Sequence, residues 1–486
     1  MVLDGGAPLA LPDFVAAAAG PCEIALSSAA RARLAAARTA VEAAAAGPAP
    51  VYGLNTGLGA NLGHRVAPEE MAAFQAQTLA GRRVGVGRAP EGLCRAAFLA
   101  RILGLAKGRS GVSPAILDLM IAMAARGLAP VLPLRGSIGA ADLAMGAALG
   151  AALIGEGAIW RDGAAVPAAE ALAGAGLAPA VLGPKDAIAL ANSCCYSVAR
   201  AALALHAAAG LLDRAMAVAA LSGEGYAMNL SILDPRLQAL RPGAGQEAAA
   251  AWLREAFAGS ALWGAARSVQ DALSFRTMAV VFGAARAALA RAAAEAEVEL
   301  NAAADSPAVV DGALMSTPNF HSLALALALD GAAQALAPVA AAQAQRVARL
   351  MEPARSGLPR YLSPVGGASA GLVPLQKTAA ALAAEVRLAA RPAAVEAMPV
   401  SEGAEDVAPL TPLAAAGLEA ALEPLAWLTA VEARTAMQAV DLRAPAALGR
   451  VPAALRDRLR EAAPPLTDDR AVGPEVEAVR AALATP

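Results

Sequence analysis

The sequence is short of aromatic residues, of cysteine and of clustered positive charge. Phenylalanine, tyrosine and tryptophan together make up 3% of the 486 residues, so an aromatic cage around a ligand has few side chains to draw on. The four cysteines have no metal-ligand spacing, which argues against a structural metal site and is typical of a reduced compartment. We therefore expect no bound metal and a cytoplasmic location.

Charge and hydrophobic patterning exclude two further kinds of partner. The formal net charge is -2 and the 39 basic residues are spread along the chain, so the positive patch that nucleic acid requires is missing. The apolar run 312–329 contains Pro318, Asn319 and His321, and residues 1–20 lack the basic start of a signal peptide. We expect neither a nucleic-acid partner nor a membrane-spanning segment.

What the chain has in excess is alanine. Hydrophobic residues make up 58% of the sequence, and alanine supplies most of this fraction, which favours helices that pack closely through small side chains. Helices are predicted over 28–46, from His321 to about Glu352, and over 371–391. The length admits either two domains or one extended helical body.

Two glycine-containing loops interrupt this helical pattern. One follows Pro130 and Pro133, which disfavour a helix, and its glycines permit backbone angles that other residues resist. A helix should begin near Asp142, with the aspartate as its N-cap. The two loops read Gly136-Ser137-Ile138-Gly139-Ala140-Ala141-Asp142-Leu143-Ala144 and Val51-Tyr52-Gly53-Leu54-Asn55-Thr56-Gly57-Leu58-Gly59.

Both loops resemble signature segments of the aromatic amino acid ammonia-lyase family, the histidine and phenylalanine ammonia-lyases. In that family the segment Gly-Ser-x-Gly-Ala-Ser-Gly-Asp-Leu cyclises its inner Ala-Ser-Gly into the electrophile methylidene-imidazolone. Here Gly139-Ala140-Ala141-Asp142 is one residue shorter and has no serine inside. Because no hydroxyl is available for elimination, we expect the cofactor to be absent.

The resemblance also implies roles for individual residues. Tyr52 matches the catalytic base, and Asn192, in Leu190-Ala191-Asn192-Ser193, matches the asparagine beside the amine site. Arg276 matches the arginine that binds the substrate carboxylate, a task suited to its bidentate guanidinium. Glu405 matches the glutamate that faces the substrate imidazole in the histidine enzymes.

The chain also departs from the family pattern at Arg82, Leu273 and Lys377. Arg82 stands where the histidine enzymes carry a histidine and is a candidate substrate-binding residue. Leu273 replaces the family's second tyrosine. Lys377 interrupts a helical segment in which an apolar residue usually follows the glutamine, and positions 380, 381 and 384 on its helix face are all alanine. Since a buried lysine can titrate, we expect Lys377 to be catalytic together with Tyr52 and Glu405.

The resemblance also implies a fold, an oligomeric state and candidate residues for the substrate pocket. The resemblance implies an all-α fold, with residues 1–190 as a loop-rich N-terminal domain and 191–486 as an elongated central and C-terminal helical bundle. It also implies a homotetramer whose sites draw residues from more than one subunit. Phe320 and Tyr52 are candidates to hold a cationic substrate group by cation-π attraction, whereas His321 is expected to be structural.

The missing electrophile indicates the kind of substrate. An amine needs the electrophile because it leaves poorly, whereas a quaternary nitrogen has no lone pair to attack it and departs unaided as a tertiary amine. The combination of a shortened loop with Lys377 and Glu405 is similar to a branch of the family that lacks the electrophile and cleaves ergothioneine into trimethylamine and thiourocanate. We expect this lyase activity, with a small betaine as substrate.

Three alternatives remain open at this point. Hercynine, the same betaine without sulfur, or another betaine is the nearest substrate alternative. An ammonia-lyase acting on histidine would need an unorthodox cyclisation of Gly139-Ala140-Ala141. A non-catalytic paralogue would keep the fold as a binding or regulatory protein, although it would not need Tyr52, Asn192, Arg276 and Glu405 together.

Overall fold

Helices dominate the computed structural model, which describes residues 1–4, 8–395 and 399–485. The helices are α1 (Leu11–Ala18), α2 (Ser28–Ala46), α3 (Met71–Ala80), α4 (Glu91–Ala106), α5 (Pro114–Ala125), α6 (Leu143–Leu153), α7 (Ala168–Gly174), α8 (Asp186–Ala191), α9 (Cys195–Tyr226) and α10 (Pro235–Ala239). They continue with α11 (Ala244–Ala256), α12 (Leu273–Arg276), α13 (Met278–Leu300), α14 (Leu323–Leu350), α15 (Pro353–Ser356), α16 (Pro374–Ala389), α17 (Thr411–Arg443), α18 (Arg450–Leu459) and α19 (Gly473–Ala484). Short 3₁₀ turns lie at Gly59–Asn61, Pro68–Glu70, Leu230–Leu233, Arg360–Leu362 and Ser401–Gly403.

Strands are few and short within the described residues. The parallel pair is Val2–Leu3 with Ala25–Leu26, and the antiparallel sheets are Ala129–Pro130 with Ala158–Arg161 and Ala164–Pro167, and Ala308–Val310 with Ala313–Met315. The longest of these strands has 4 residues. The all-α fold class is therefore confirmed.

The predicted helices are found close to their expected bounds. α2 begins at Ser28, and the Ser27 hydroxyl accepts a hydrogen bond from the Ala30 amide at 3.1 Å, which caps the helix. The helices predicted from His321 and over 371–391 correspond to α14 and α16. These segments are predictable because alanine and leucine have high helix propensity and the patterns are long.

The described chain divides into two compact units, each built from three separate segments. The first unit comprises residues 1–206, 292–329 and 393–416, and the second comprises 207–291, 330–392 and 417–486. The division predicted between residues 190 and 191 stays a prediction.

Small residues allow the helices of the first unit to approach closely. A Cβ atom added at Gly146 on α6 would lie 2.6 Å from the Ala191 Cα at the end of α8. Ala147 and Ala187 pack with Leu79 of α3 in a shared buried cluster. This packing holds three helices together beside the loop that precedes α6.

Two stretches are long and apolar enough to cross a membrane by length and composition. In Asp186–Tyr226, which contains α8 and α9, 89% of the most apolar window is buried inside the structure. In α14 half of the corresponding window is buried. Buried core helices of soluble proteins have the same composition, so these stretches are weak evidence for a membrane span.

Candidate active site

The loop Gly136–Asp142 precedes α6 in the first unit and is closely packed. Ala140 and Ala141 are buried, and Ala141 adopts a left-handed backbone conformation with φ of 60°. Gly139 has a φ of 81°, and a Cβ atom added there would lie 2.9 Å from the Thr411 amide nitrogen. Gly139 therefore has no room for a side chain.

Ordinary hydrogen bonds occupy the peptide groups of this loop. The Ala141 amide donates to the Phe320 carbonyl at 3.2 Å, and the Gly139 amide donates to the Ser137 hydroxyl at 3.0 Å. The Cys194 thiol donates to the carbonyls of Phe320 and Gly139 at 2.9 and 3.5 Å. These contacts fix the main chain of the loop and hold the Phe320 segment against it.

The residues of the loop do not fit methylidene-imidazolone. Formation of that group requires a leaving group on the β-carbon of the central residue, and Gly139-Ala140-Ala141 carries none. The Ser137 hydroxyl lies outside the tripeptide and donates to the Asp142 Oδ1 at 2.7 Å. The loop therefore offers no group from which the family's electrophile could be made.

Asp142 precedes α6 as predicted but does not cap it through its side chain. Its carboxylate is fully buried and accepts hydrogen bonds from the hydroxyls of Ser137 and Ser197, both at 2.7 Å, and from the Ser197 amide at 2.8 Å. Burial raises the pKa of the Asp142 carboxyl, and these hydrogen bonds act in the opposite direction. Asp142 is therefore the N-cap residue of α6 as predicted, although its carboxylate binds the first turn of α9 and not the amides of α6.

Asn192 and Phe320 lie on segments that contact the loop. The Asn192 side-chain amide donates to the Ser306 carbonyl at 2.8 Å, and its neighbour Ser193 accepts a hydrogen bond from the Asp142 amide at 2.9 Å. Asn192 is buried, whereas Phe320 is half-buried. Both predicted residues therefore lie in the same unit as the loop. The loop forms main-chain hydrogen bonds to Phe320 itself and to Ser193, the neighbour of Asn192.

His321 follows Phe320 and pairs with Ala140 through an isolated β-bridge. This main-chain pairing agrees with the structural role expected for the segment. The His321 Nε2 is nevertheless buried with no hydrogen-bond partner in the described part of the chain. One imidazole nitrogen is thus available to a ligand or a water molecule.

Tyr52 is half-buried in the glycine-containing loop that precedes α3. The Gly59 amide donates to its hydroxyl at 3.2 Å. The Asn55 side chain closes the loop, since its Oδ1 accepts from the Val51 amide at 2.7 Å and its Nδ2 donates to the Ala49 carbonyl at 3.0 Å. The phenol oxygen therefore accepts a hydrogen bond from the main chain of its own loop.

Glu405 and Arg82 lie near Tyr52 in the first unit. The Ser401 hydroxyl donates to the Glu405 Oε2 at 3.0 Å, and the 3₁₀ turn Ser401–Gly403 contacts the turn Gly59–Asn61 of the Tyr52 loop. Burial lowers the pKa of the Arg82 guanidinium, while attraction to Tyr52 and to Glu405 raises it. A phenol, a guanidinium and a carboxylate thus form one polar cluster.

Arg276 lies in the second unit, on the short helix α12. It is exposed, and its Nη1 donates to the Gln270 Oε1 at 3.1 Å. The same turn is anchored by Arg346, whose Nη1 donates to the Ser274 carbonyl at 3.1 Å. Arg346 is held in turn by two hydrogen bonds to the Glu432 carboxylate, at 2.5 and 3.0 Å, so the turn that carries Arg276 rests on a buried ion pair.

Lys377 also lies in the second unit, on the first half of α16, and is exposed. Ala381, Ala384 and Leu388 continue its face of the helix, and Leu388 is 56% exposed. The residues of the predicted site therefore fall into two groups. Tyr52, Arg82, Asn192, Phe320 and Glu405 belong to the first unit, and Arg276 and Lys377 belong to the second.

Sequence reasoning missed the residues that support the loop. Ser137, Ser197 and Cys194 supply its hydrogen bonds, but serine and cysteine in an apolar run carry no sequence signal for such a role. Metal chemistry is not indicated: in residues 1–4, 8–395 and 399–485, no group of three or more His, Cys, Asp and Glu could hold an ion.

Glu299 lies in the segment Glu299-Leu300-Asn301, and the sequence predicts no particular role for its carboxyl. Burial and, to a lesser degree, the Glu295 carboxylate raise the pKa of Glu299 to about 7. Glu299 also lines a cavity of 20 Å³ with Arg101, Cys194 and Cys195, about the space that one water molecule needs. It therefore carries a proton in the folded protein at pH values where the unfolded chain has lost it.

This difference predicts how stability depends on pH. The folded state binds more protons than the unfolded state between the ordinary pKa of 4.5 and about 7, so the free energy of unfolding falls as pH rises through this window. Glu299→Gln should leave stability unchanged near pH 4 and raise it by roughly 1 to 3 kcal/mol at pH 8. Chemical denaturation at both pH values measures the difference. Glu295→Gln should give a smaller gain, and a Glu299→Gln variant less stable than its parent at pH 8 would contradict the prediction.

The tyrosine loop, the asparagine segment and the tight loop before α6 all belong to the first unit of a helical protein. The sequence profile of the family described as "Aromatic amino acid lyase" matches residues 9–461, and the chain belongs to this family.

Individual relatives agree with this assignment. The histidine ammonia-lyase of Stigmatella aurantiaca is 38% identical over 98% of this chain and 95% of its own. Among solved structures, ergothionase from Treponema denticola has a TM-score of 0.96 at 28% identity, covering 99% of this chain and 98% of that one. Histidine ammonia-lyase from Trypanosoma cruzi has a TM-score of 0.90 at 27% identity, covering 99% and 92%.

Proposed function

We propose that this protein is a carbon-nitrogen lyase that eliminates trimethylamine from ergothioneine and forms thiourocanate without methylidene-imidazolone. The observation that carries the proposal is the loop Gly139-Ala140-Ala141. It is buried and hydrogen-bonded through its main chain, and none of its three residues carries a hydroxyl from which the family's electrophile could form.

The nature of the leaving group explains how a member of this family could act without the electrophile. A primary amine at neutral pH needs covalent activation before it can depart. A trimethylammonium group carries its positive charge permanently and leaves as a neutral tertiary amine, taking the electron pair of the broken carbon-nitrogen bond. A quaternary substrate therefore makes the electrophile unnecessary.

Tyr52 is proposed to remove the proton from the carbon β to the carboxylate. The electron pair of that carbon-hydrogen bond forms the new carbon-carbon double bond as the carbon-nitrogen bond breaks, and the proton passes to the Tyr52 oxygen. At a reference pKa of about 10, a phenol needs a cationic neighbour to act as a base near neutral pH. The polar cluster around Tyr52 includes such a neighbour, Arg82.

The remaining residues are proposed to bind the substrate. Arg276 takes the carboxylate, Glu405 accepts a hydrogen bond from a ring N–H, and Lys377 stabilises negative charge that develops on the sulfur-bearing ring. Asn192 and Phe320 line the pocket beside the loop. The similarity to the Treponema denticola enzyme, crystallised in complex with desmethyl-ergothioneine sulfonic acid, supports this class of substrate.

We also propose a cytoplasmic homotetramer with sites completed by neighbouring subunits. Lys377 and Arg276 are exposed, and the face of α16 that carries Lys377 is formed by small and apolar side chains. Leu273 and Val269 beside Arg276 are 67% and 94% exposed, which is unusual for apolar residues at a functional turn. The free thiols of all four cysteines agree with a reducing compartment.

An ammonia-lyase acting on histidine is the second candidate, favoured by the 38% identity to a histidine ammonia-lyase. Identity over the whole chain reflects the common fold and scaffold, whereas activation of a primary amine depends on the loop. Because Gly139-Ala140-Ala141 carries no hydroxyl, the histidine ammonia-lyase ranks below the betaine lyase as a candidate function.

Offering ergothioneine, hercynine and histidine to the purified protein tests the proposal. Trimethylamine, ammonia and the ultraviolet absorbance of the conjugated acrylate are followed. Ergothioneine should react, because its sulfur extends the charge sink and trimethylamine leaves unaided, whereas histidine should be inert. Ammonia release from histidine at a rate comparable to that of trimethylamine release from ergothioneine would contradict the proposal. No reaction with any of the three substrates would favour a non-catalytic paralogue.

Two controls accompany this assay. The intact mass of the protein should equal that of the unmodified sequence. A mass deficit corresponding to lost water would indicate that the loop cyclises and that the electrophile forms after all. Lys377→Met should reduce turnover of ergothioneine far more than any residual turnover of hercynine, because only ergothioneine brings sulfur charge to the lysine.

A further inference from the structure

The short helix α8 is attached at both of its ends to one pair of adjacent residues. Lys185 precedes its first residue, and the Lys185 Nζ donates to the Asp305 Oδ2 at 3.4 Å. Asn192 follows its last residue, and the Asn192 side-chain amide donates to the Ser306 carbonyl at 2.8 Å. Because Asp305 and Ser306 are neighbours in the chain, one short segment sets the position of the whole helix.

The Asp305 carboxylate is buried between two cations. The Arg101 Nη2 on α4 donates to its Oδ1 at 3.2 Å, while Lys185 donates to its Oδ2. Arg101, Lys185 and Asp305 are each exposed by 3% or less. Since each carboxylate oxygen has its own cationic donor, the Asp305 side chain is held in one orientation.

A buried lysine is unusual for this chain. Only three of the 39 basic residues are lysines, and whereas Lys107 is half-buried and Lys377 is exposed, Lys185 is fully buried. Burial lowers the pKa of the Lys185 ammonium, and the Asp305 carboxylate acts in the opposite direction. A compact ammonium can donate in several directions, and Lys185 also donates to the Ser110 carbonyl at 2.6 Å. Its burial is therefore matched by specific partners.

The segment Asp305-Ser306 is itself fixed by Thr317. The Thr317 hydroxyl donates to the Asp305 carbonyl at 2.8 Å, and the Thr317 amide donates to the Ser306 hydroxyl at 3.1 Å. Thr317 lies shortly before Phe320, whose carbonyl accepts a hydrogen bond from the Ala141 amide. The segment that holds α8 is therefore connected to the segment that packs on the loop before α6.

The end of α8 is also bonded to that loop. The Ser193 carbonyl accepts a hydrogen bond from the Asp142 amide at 2.9 Å, and the Cys194 thiol donates to the Gly139 carbonyl at 3.5 Å. Two independent sets of hydrogen bonds thus restrain Asn192, one from the loop and one from Asp305-Ser306. A shift of α8 would break contacts in both sets.

We propose that Asp305 is a positioning residue that fixes the side chain of Asn192 for the substrate, acting through Lys185 and the adjacent Ser306 carbonyl. The inference rests on the function proposed above, in which Asn192 lines the pocket, and deepens it by naming the residue that holds Asn192 in place. A displacement of a positioned group by about 1 Å lowers turnover strongly. The buried charges therefore contribute to the rate as well as to stability.

A double-mutant cycle distinguishes positioning from a structural role. Asp305→Asn keeps the shape of the side chain but removes the charge shared by Arg101 and Lys185. It should lower kcat/KM for trimethylamine release from ergothioneine, per folded protein, by about tenfold or more. In the Asn192→Ala background the same substitution should lower kcat/KM by less than about twofold, because the residue through which it acts is already absent.

Glu475→Gln is the matched control. Glu475 also pairs with two cations, Arg434 and Arg470, both at 2.6 Å, but it lies in the second unit. Chemical denaturation should show a loss of stability for both variants, whereas kcat/KM per folded protein should fall only for Asp305→Asn. A fall in kcat/KM that is equally large with and without the Asn192 side chain would overturn the proposal.

Hydrogen exchange measured by mass spectrometry is independent of turnover. The Asn192 amide donates to the Ile188 carbonyl at 2.8 Å, so peptides that cover residues 186–194 report on the end of α8. These amides should exchange faster in Asp305→Asn than in the parent and at the parent's rate in Glu475→Gln. If the parent releases no trimethylamine, the proposed function fails, while the exchange rates still decide whether Asp305 fixes α8.

Circular dichroism establishes that each variant is folded. Should Asp305→Asn not fold, Lys185→Met takes its place, because it releases α8 from the carboxylate while Arg101 still holds Asp305. Parent-like exchange over residues 186–194 in a folded variant would show that Asp305 does not position this helix. Faster exchange together with a loss of kcat/KM that depends on Asn192 would support the proposal.

Discussion

Replacing Tyr52 by phenylalanine should reduce turnover by about 10²- to 10⁴-fold while leaving substrate binding nearly unchanged. The substitution removes the proton acceptor and one hydrogen bond from the Gly59 amide but little volume. The Asn55 side chain, which closes the loop through Val51 and Ala49, is untouched. The pocket should therefore keep its shape while losing its base.

Trimethylamine release under saturating ergothioneine gives kcat, and isothermal titration of the inactive variant gives the dissociation constant. Tyr361→Phe is the matched control, because it removes the same oxygen from a half-buried tyrosine in the second unit and should leave kcat unchanged. Parent-like activity of Tyr52→Phe would remove the tyrosine from the mechanism.

Arg276→Ala should instead weaken binding, by about 2 to 5 kcal/mol when the substrate carboxylate is buried against the guanidinium. The loss arises because a charge-assisted, bidentate hydrogen bond disappears and the carboxylate is left without a partner. The turn itself should survive, since Arg346 still holds the Ser274 carbonyl. Dissociation constants measured in the Tyr52→Phe background exclude any contribution from turnover.

Arg286→Ala provides the comparison for Arg276→Ala. Arg286 lies on the following helix and forms a surface ion pair with Asp213, which contributes little to stability. Its loss should leave the dissociation constant within about a factor of two. Equal binding by Arg276→Ala and the parent would assign the carboxylate to another residue.

The helical part of the fold was the most predictable. Over 28–46 and in α14 and α16, long alanine and leucine patterns specify helices locally, so their positions follow from the order of the residues. Asp142 is the N-cap residue of α6 as predicted, but its carboxylate does not bind the amides of that helix, as the local rule expects. In the folded chain Ser197, 55 residues further on, offers a hydroxyl and an amide.

The candidate site was predictable only where its chemistry depends on residue identity. The order of residues alone determines that Gly139-Ala140-Ala141 has no hydroxyl to eliminate, since no fold can supply an atom that the tripeptide lacks. Sequence also identified Tyr52, Glu405 and Arg276 through their motifs. Sequence marked Arg82 only as a departure from the family pattern and gave it no partner.

Tertiary structure alone decided that Arg82 is half-buried at the end of α3 while its neighbour Arg83 pairs with Glu156 at the surface. Adjacent arginines have the same side chain and charge, and their environments differ only through segments distant in sequence that fold against them, such as the one that carries Glu156, 73 residues from Arg83. Electrostatic interaction depends on distance in space and on burial, neither of which is encoded in separation along the chain. The lack of a hydroxyl in Gly139-Ala140-Ala141 was therefore determined by the sequence, whereas the different environments of Arg82 and Arg83 were determined by the fold.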